Sequence, residues 1–151
     1  MAKVTALTLD TAPTGDDLLY TVTDPGGTPA SRKVTIQSVQ NLLEITAKTA
    51  SATSALDDNA KLITMNVTTT ANAYTLAPNA DIAHPIGTCI LVKQIGTGVT
   101  SITGGTGVTI EGGGQSVSAG SCAISNRYDM ATCIKVATNI WSVQGAVGAI
   151  A

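Results

Sequence analysis

His84 is the one histidine of the chain, set in Ala83-His84-Pro85-Ile86-Gly87, and it is the first residue to test for chemistry. A zinc site would need further nitrogen or sulfur ligands at a recognisable spacing. Cys89, Cys122 and Cys133 are too dispersed to provide them, and no CxxC pair is present. For nucleophilic catalysis His84 would need a serine and a carboxylate converging on it, and the nucleophile elbow GxSxG is absent. These residue types predict no catalytic role, no cofactor and no metal. The expectation is a histidine beside a turn proline, either facing solvent or satisfied by its own surroundings.

Two other patterns could carry chemistry. Gly104-Gly105-Thr106-Gly107, followed by Glu111-Gly112-Gly113-Gly114, has the glycine density of a phosphate cradle. No Lys-Ser/Thr pair follows it, and both flanks read as strands where a helix N-terminus is needed, so hairpin turns are the expectation. The acidic pairs Asp16-Asp17 and Asp57-Asp58 lack the alternating oxygen ligands, central glycine and closing glutamate of a calcium loop. Asp57-Asp58 reads as a turn ahead of a strand starting at Lys61. Asn66-Val67-Thr68 fits a glycosylation sequon in form only, since MAKVTALTLD has no secretory signal pattern.

Composition limits what can hold such residues in place. The chain has 151 residues, no Phe, one Trp (Trp141) and three Tyr (Tyr20, Tyr74, Tyr128), so burial must come from Val, Ile, Leu and Ala at roughly 25 cal/mol per Å² of apolar surface. Charged residues make up 12%, about half the usual share. A thin core and a sparsely charged surface favour packing against copies of the same chain. With a net charge of -2 and scattered basic residues, the chain has no electrostatic footprint for nucleic acid. No apolar run approaches the ~18 residues of a membrane-spanning helix, so no membrane partner is expected and synthesis in a cytoplasm is. Three cysteines, an odd count among apolar neighbours, read as free thiols acting as small hydrophobes.

The elements that must position these residues are short strands. Leu18 to Thr23 and Arg32 to Ile36 are strand-like around the turn Asp24-Pro25-Gly26-Gly27, and Ser38 to Leu43 has a cap and helical spacing. Residues 1–44 thus form an N-terminal unit, a hairpin followed by a short helix. Residues 45–55, small and hydroxylated, read as a linker or extended arm. Residues 56–151 form a second module whose strands are expected at Lys61 to Thr68, Ala73 to Leu76, Thr88 to Gln94, Val99 to Ile102, Val108 to Ile110, Ser116 to Ile124, Met130 to Ala137 and Ile140 to Gln144. Their alternation is clear where Val108 and Ile110 flank Thr109, and where Ile134 and Val136 flank Lys135. The expected fold is all-β: a compact antiparallel sandwich or open barrel of short strands.

The order of these motifs resembles the C-terminal β-module of many tailed-bacteriophage fibre and capsid-decoration proteins. The residues that carry the likeness are the strand Lys61 to Val67 with the Thr-rich turn after it, Tyr74-Thr75-Leu76-Ala77-Pro78-Asn79, His84-Pro85-Ile86-Gly87-Thr88, Val92 to Gly98, Gly107-Val108-Thr109-Ile110, Ala131 to Val136 and Trp141. Leu7 to Leu43 is similar to the short attachment segments with which such proteins begin. The chain departs from the pattern at His84, where an aromatic residue is commoner. The resemblance implies a virion structural protein, homotrimeric, made in the host cytoplasm and placed on the capsid exterior, with the major capsid protein or another virion protein as partner. Leu18, Leu19, Tyr20, Arg32, Lys33, Val34 and Ile36 are the residues it implies for capsid attachment. One anchor and one compact head fit a decoration (cement) protein or head fibre, and a tail fibre binding a host receptor is the second expectation. A glycan-binding module would need exposed aromatics, and Trp141, in Ile140-Trp141-Ser142-Val143, reads as core.

Overall fold

A computed structural model describes residues 18–23, 30–35, 43–68 and 70–151, in two compact units, Met1–Leu42 and Leu43–Ala151. In the first unit β1 (Leu18–Thr23) and β2 (Ala30–Thr35) pair antiparallel, with Leu19 opposite Val34 and Tyr20 opposite Lys33. The expected turn at 24–27 and the helical stretch at 38–42 lie outside the described residues, as does Ile36.

The second unit is all-β. It holds β3 (Glu44–Lys48), β4 (Ala52–Thr53), a 3₁₀ turn at Leu56–Asp58, β5 (Lys61–Met65), β6 (Asn72–Leu76), β7 (Cys89–Gln94), β8 (Thr100–Gly104), β9 (Thr109–Gly112), β10 (Gln115–Ser118), β11 (Ser121–Ala123), β12 (Met130–Ala137) and β13 (Ile140–Gly145). Seven strands form one sheet in the order β10-β9-β13-β12-β7-β5-β3, and four form another in the order β11-β8-β6-β4. Between β3 and β8 the chain alternates sheets at every strand. Strands β3, β5 and β7 stack parallel in the larger sheet while β4, β6 and β8 stack parallel in the smaller one.

This arrangement corrects three expectations. The sheets are mixed and not antiparallel, because each return between parallel neighbours passes through the opposite sheet and so supplies the long crossover that parallel pairing needs. Residues 45–55 are not a linker: Glu44–Lys48 pairs along its whole length with Lys61–Met65, and Ala52–Thr53 pairs with Tyr74–Thr75. Thr suits a pleated surface, and β3, at the edge of its sheet and mostly exposed, needs little apolar bulk. The single strand expected from Ser116 to Ile124 is two, broken where Ala119 adopts φ 52° ahead of Gly120. That break carries the chain from the larger sheet to the smaller.

Burial alternates along the strands as the pleat requires, most cleanly in β7 and β12. Ile63, Ile90, Cys133 and Trp141 of the larger sheet join Tyr74, Leu76 and Ile102 of the smaller in one core. Gly113 and Gly114, at φ +55° and +79°, form the two-residue turn of the β9–β10 hairpin, as the glycine run predicts. Gly96 serves a different need. Its backbone lies so close to the Val67 carbonyl that a Cβ would collide with it.

Gly96→Ala is therefore expected to destabilise the second unit by about 1–3 kcal/mol, the usual cost of forcing atoms into filled space. Urea denaturation checks this, and a midpoint equal to that of the parent would mean the β7–β8 corner is looser than its packing indicates.

Candidate functional site

The histidine singled out by sequence lies in the loop between β6 and β7, and it is buried, with 3% of its surface exposed. It does not face solvent. Its Nε2 is 3.0 Å from the Oγ of Ser54, which directly follows β4. The parallel pairing of β4 with β6 sets Ser54 there: its N–H donates to the Thr75 carbonyl, and its Oγ accepts the N–H of Ala77. The Ser54 hydroxyl keeps its proton to donate to Nε2, and in that tautomer the ring proton sits on Nδ1.

A hydroxyl and an imidazole at this distance are the first two members of a nucleophilic catalytic set. Here the set stops at two. His84 Nδ1 has no partner, so no carboxylate orients the ring. The ring instead meets Trp141 edge-on, with centroids 5.3 Å apart. Ser54 is fully buried, so its oxygen has no path to a substrate carbonyl in this conformation. The pair acts as a tie between the end of β4 and the loop that precedes β7.

Lys135 extends the tie. Its Nζ donates to the His84 carbonyl and to Asn79 Oδ1, each at 2.7 Å, and Asn139 Oδ1 accepts the Asn79 N–H. The Ile134-Lys135-Val136 alternation is thus turned over relative to a simple apolar-inward reading: Lys135 is 2% exposed, while Ile134 and Val136 face out. On the other side, Asp58 accepts hydrogen bonds from the Tyr74 hydroxyl and the Ala55 N–H, which accounts for the acidic pair as a structural turn. Burial lowers the pKa of His84, and Lys135 lowers it further against a weaker opposing pull from Asp58. Burial alone lowers that of Lys135. Burial followed by the Asp58 bond pushes the Tyr74 hydroxyl far above its usual range.

A second feature lies on the outer face of the larger sheet. The register places Ile45, Leu62 and Leu91 in one row, with Ile134 two residues along β12 from their neighbour Thr132. Ile45 is 64% exposed and Val136 45%. Ile134 and Met130 on the same face are also exposed, and the charged members of the face are Lys93 and Glu111. Strand alternation alone shows β12 as amphipathic, but not which side is inside.

Of the residues expected to attach to a capsid, Leu18, Leu19 and Tyr20 lie in β1 and Arg32, Lys33 and Val34 in β2, brought together by the hairpin register. Ser54 carried no usable signal in sequence, being one hydroxyl among many in Thr46 to Ala55. All three cysteines are free thiols, with Cys122 and Cys133 buried and Cys89 half-buried. Burial pushes the pKa of both Cys122 and Cys133 up, which keeps them protonated and inert. Among the described residues no group of three or more His, Cys, Asp or Glu side chains could hold a metal ion, and no helix is long and apolar enough to cross a membrane.

Because the folded pKa of His84 lies below its unfolded value of about 6.5, its contribution to stability is complete above that value and is lost as pH falls towards the folded pKa. The slope from this one group is at most about 1.4 kcal/mol per pH unit. His84→Gln should flatten that part of the profile. Thermal melts of both proteins from neutral to mildly acidic pH test it, and parallel profiles would show that His84 does not titrate between the two states.

No protein-family model matches the chain, and no curated protein sequence matches it.

Proposed function

We propose that the chain is a structural protein of a tailed-bacteriophage particle, a capsid-decoration (cement) protein that binds the assembled shell as a homotrimer and catalyses no reaction. The observation that carries this reading is the apolar outer face of the larger sheet. Met130, Ile134 and Val136 lie exposed on one side of β12, Ile45 is exposed at the edge of the same sheet face, and copies of the same chain are the simplest cover. The order of sequence motifs supplies the virion context. The sealed Ser54–His84 pair supports a structural role, since it joins elements and presents nothing to a substrate.

On this reading the second unit is a two-sheet sandwich forming the head, and the first unit is the anchor. Leu18, Leu19, Tyr20, Arg32, Lys33, Val34 and Ile36 then meet the major capsid protein or another virion protein. Binding that prefers the assembled shell over dispersed subunits stabilises the shell by mass action, repeated over many sites.

Receptor binding by a short head or tail fibre is the second reading, and one observation favours it. Tyr128 is 59% exposed and holds φ 75°, a conformation uncommon for a bulky residue, with the Arg127 guanidinium 4.6 Å above its ring. An exposed aromatic of this kind is what a pyranose face stacks on. A glycan array run on the purified protein and on Tyr128→Ala separates the two readings.

Light scattering at micromolar concentration should return the mass of a trimer, and Ile134→Asp should shift it to that of a folded monomer. A parent protein that is monomeric at this concentration would remove the trimer from the proposal.

Particles lacking the protein should release DNA at lower temperature or under osmotic shock while adsorbing to cells normally. Normal heat resistance with lost adsorption would transfer the case to the receptor-binding reading.

A further inference from the structure

The inner face of the larger sheet carries a row of three side chains that an apolar core would not place together. The Lys135 N–H donates to the Thr88 carbonyl, and Lys135 stands opposite Trp141 across the β12–β13 ladder. Thr88, Lys135 and Trp141 are therefore lateral neighbours, and all three are buried. The His84 loop closes over the row, with its ring edge-on to Trp141 and its carbonyl on Lys135 Nζ.

What this corner lacks is an acceptor. Trp141 Nε1, Thr88 Oγ1 and His84 Nδ1 are buried without a hydrogen-bond partner, and they are the three side-chain atoms of that kind among the described residues. The indole nitrogen only donates, the hydroxyl is free to donate, and Nδ1 carries the proton when Nε2 accepts from Ser54. Lys135 adds an ammonium with three protons and two acceptors, both neutral. Among the described residues no carboxylate pairs with it, and Asp58, the acid that acts on His84, is already engaged by Tyr74 and Ala55. An unpaired buried cation is costly, and buried donors are almost always met.

We propose that Lys135, Trp141, Thr88 and His84 form a buried binding site for a small monovalent anion of halide size. The anion accepts from the indole N–H, the Thr88 hydroxyl and the imidazole Nδ1–H, and it neutralises the Lys135 ammonium. A metal cation is excluded by the same inventory, which offers it donors and a like charge. The exposed segment Pro85-Ile86-Gly87 is the thin cover through which an ion would exchange. The anion would lock the loop between β6 and β7 against β12 and β13, so its role is stability of the head whatever the particle context.

Trp141 is the only tryptophan of the chain, so its fluorescence reports on the site directly. Sodium bromide is titrated into the full-length protein at neutral pH, with ionic strength held constant by sodium gluconate, whose anion is too large to enter. The expected result is saturable quenching of Trp141 that chloride reverses, and a melting temperature higher in chloride than in gluconate. Lys135→Met should abolish the saturable phase. Should that variant fail to fold, Thr88→Ala should weaken the bromide midpoint about tenfold or more, the scale of one hydrogen bond to a charged group. Quenching that is absent or never saturates, with equal melting in chloride and gluconate, would overturn the proposal in favour of a buried water that meets the same atoms. A saturable phase that persists unchanged in Lys135→Met would overturn it as well.

Discussion

Each return from one parallel strand of the larger sheet to the next passes through a strand of the smaller sheet, so between β3 and β8 neither sheet can assemble without the other. In-register stacking follows from this constraint. Ile63 sits beside Val92, and Tyr74 beside Ile102, each pair in neighbouring parallel strands and both facing one core. A chain with no Phe can still close that core because stacked branched side chains such as Ile63, Ile90, Val92 and Ile102 pack between the sheets around Tyr74 and Trp141.

The same constraint creates corners, and corners expose backbone groups to a dry interior. Polar side chains meet them. Gln94 Oε1 accepts the Thr100 N–H where the chain leaves β7 for β8, and Asn72 Oδ1 accepts the Thr100 hydroxyl beside it. Ser54, His84 and Lys135 do the equivalent work at the opposite corner. Each such bond contributes only about 1 kcal/mol net, but leaving its buried partner unmet costs more, so these residues specify the path of the chain more than they stabilise it. A serine and a histidine at catalytic distance are here a consequence of corner geometry. Surface ion pairs contribute little by comparison: Lys61 with Glu44 and Asp57 is the described example, and its acids are mostly exposed.

Burying Lys135 has a cost on the far side of β12. The strand must place its polar residue inward at the corner, so by the two-residue period Ile134 and Val136 are turned outward, onto the sheet face that also carries the row Ile45, Leu62 and Leu91. The polar seam inside and the apolar face outside are therefore one feature of the register. An internal requirement of the fold thereby sets the apolar character of the outer face.

Strand positions, turns and the inert character of the cysteines were legible in the residues themselves. Pro, Gly and Asn punctuation and period-two alternation are local properties, and most strands from Lys61 onward fall within a few residues of where those signals place them. Strand neighbours were not legible. Alternation reports that a strand has two faces, but parallel and antiparallel partners produce the same pattern, so the mixed sheets, the strand at Glu44–Lys48 and the inversion at Lys135 came only with the tertiary structure. Ser54 shows the limit most directly. Its type and spacing are those of a surface hydroxyl in a run of hydroxyls, and what gives it a role is His84, thirty positions away, which only the pairing of β4 with β6 brings within 3.0 Å.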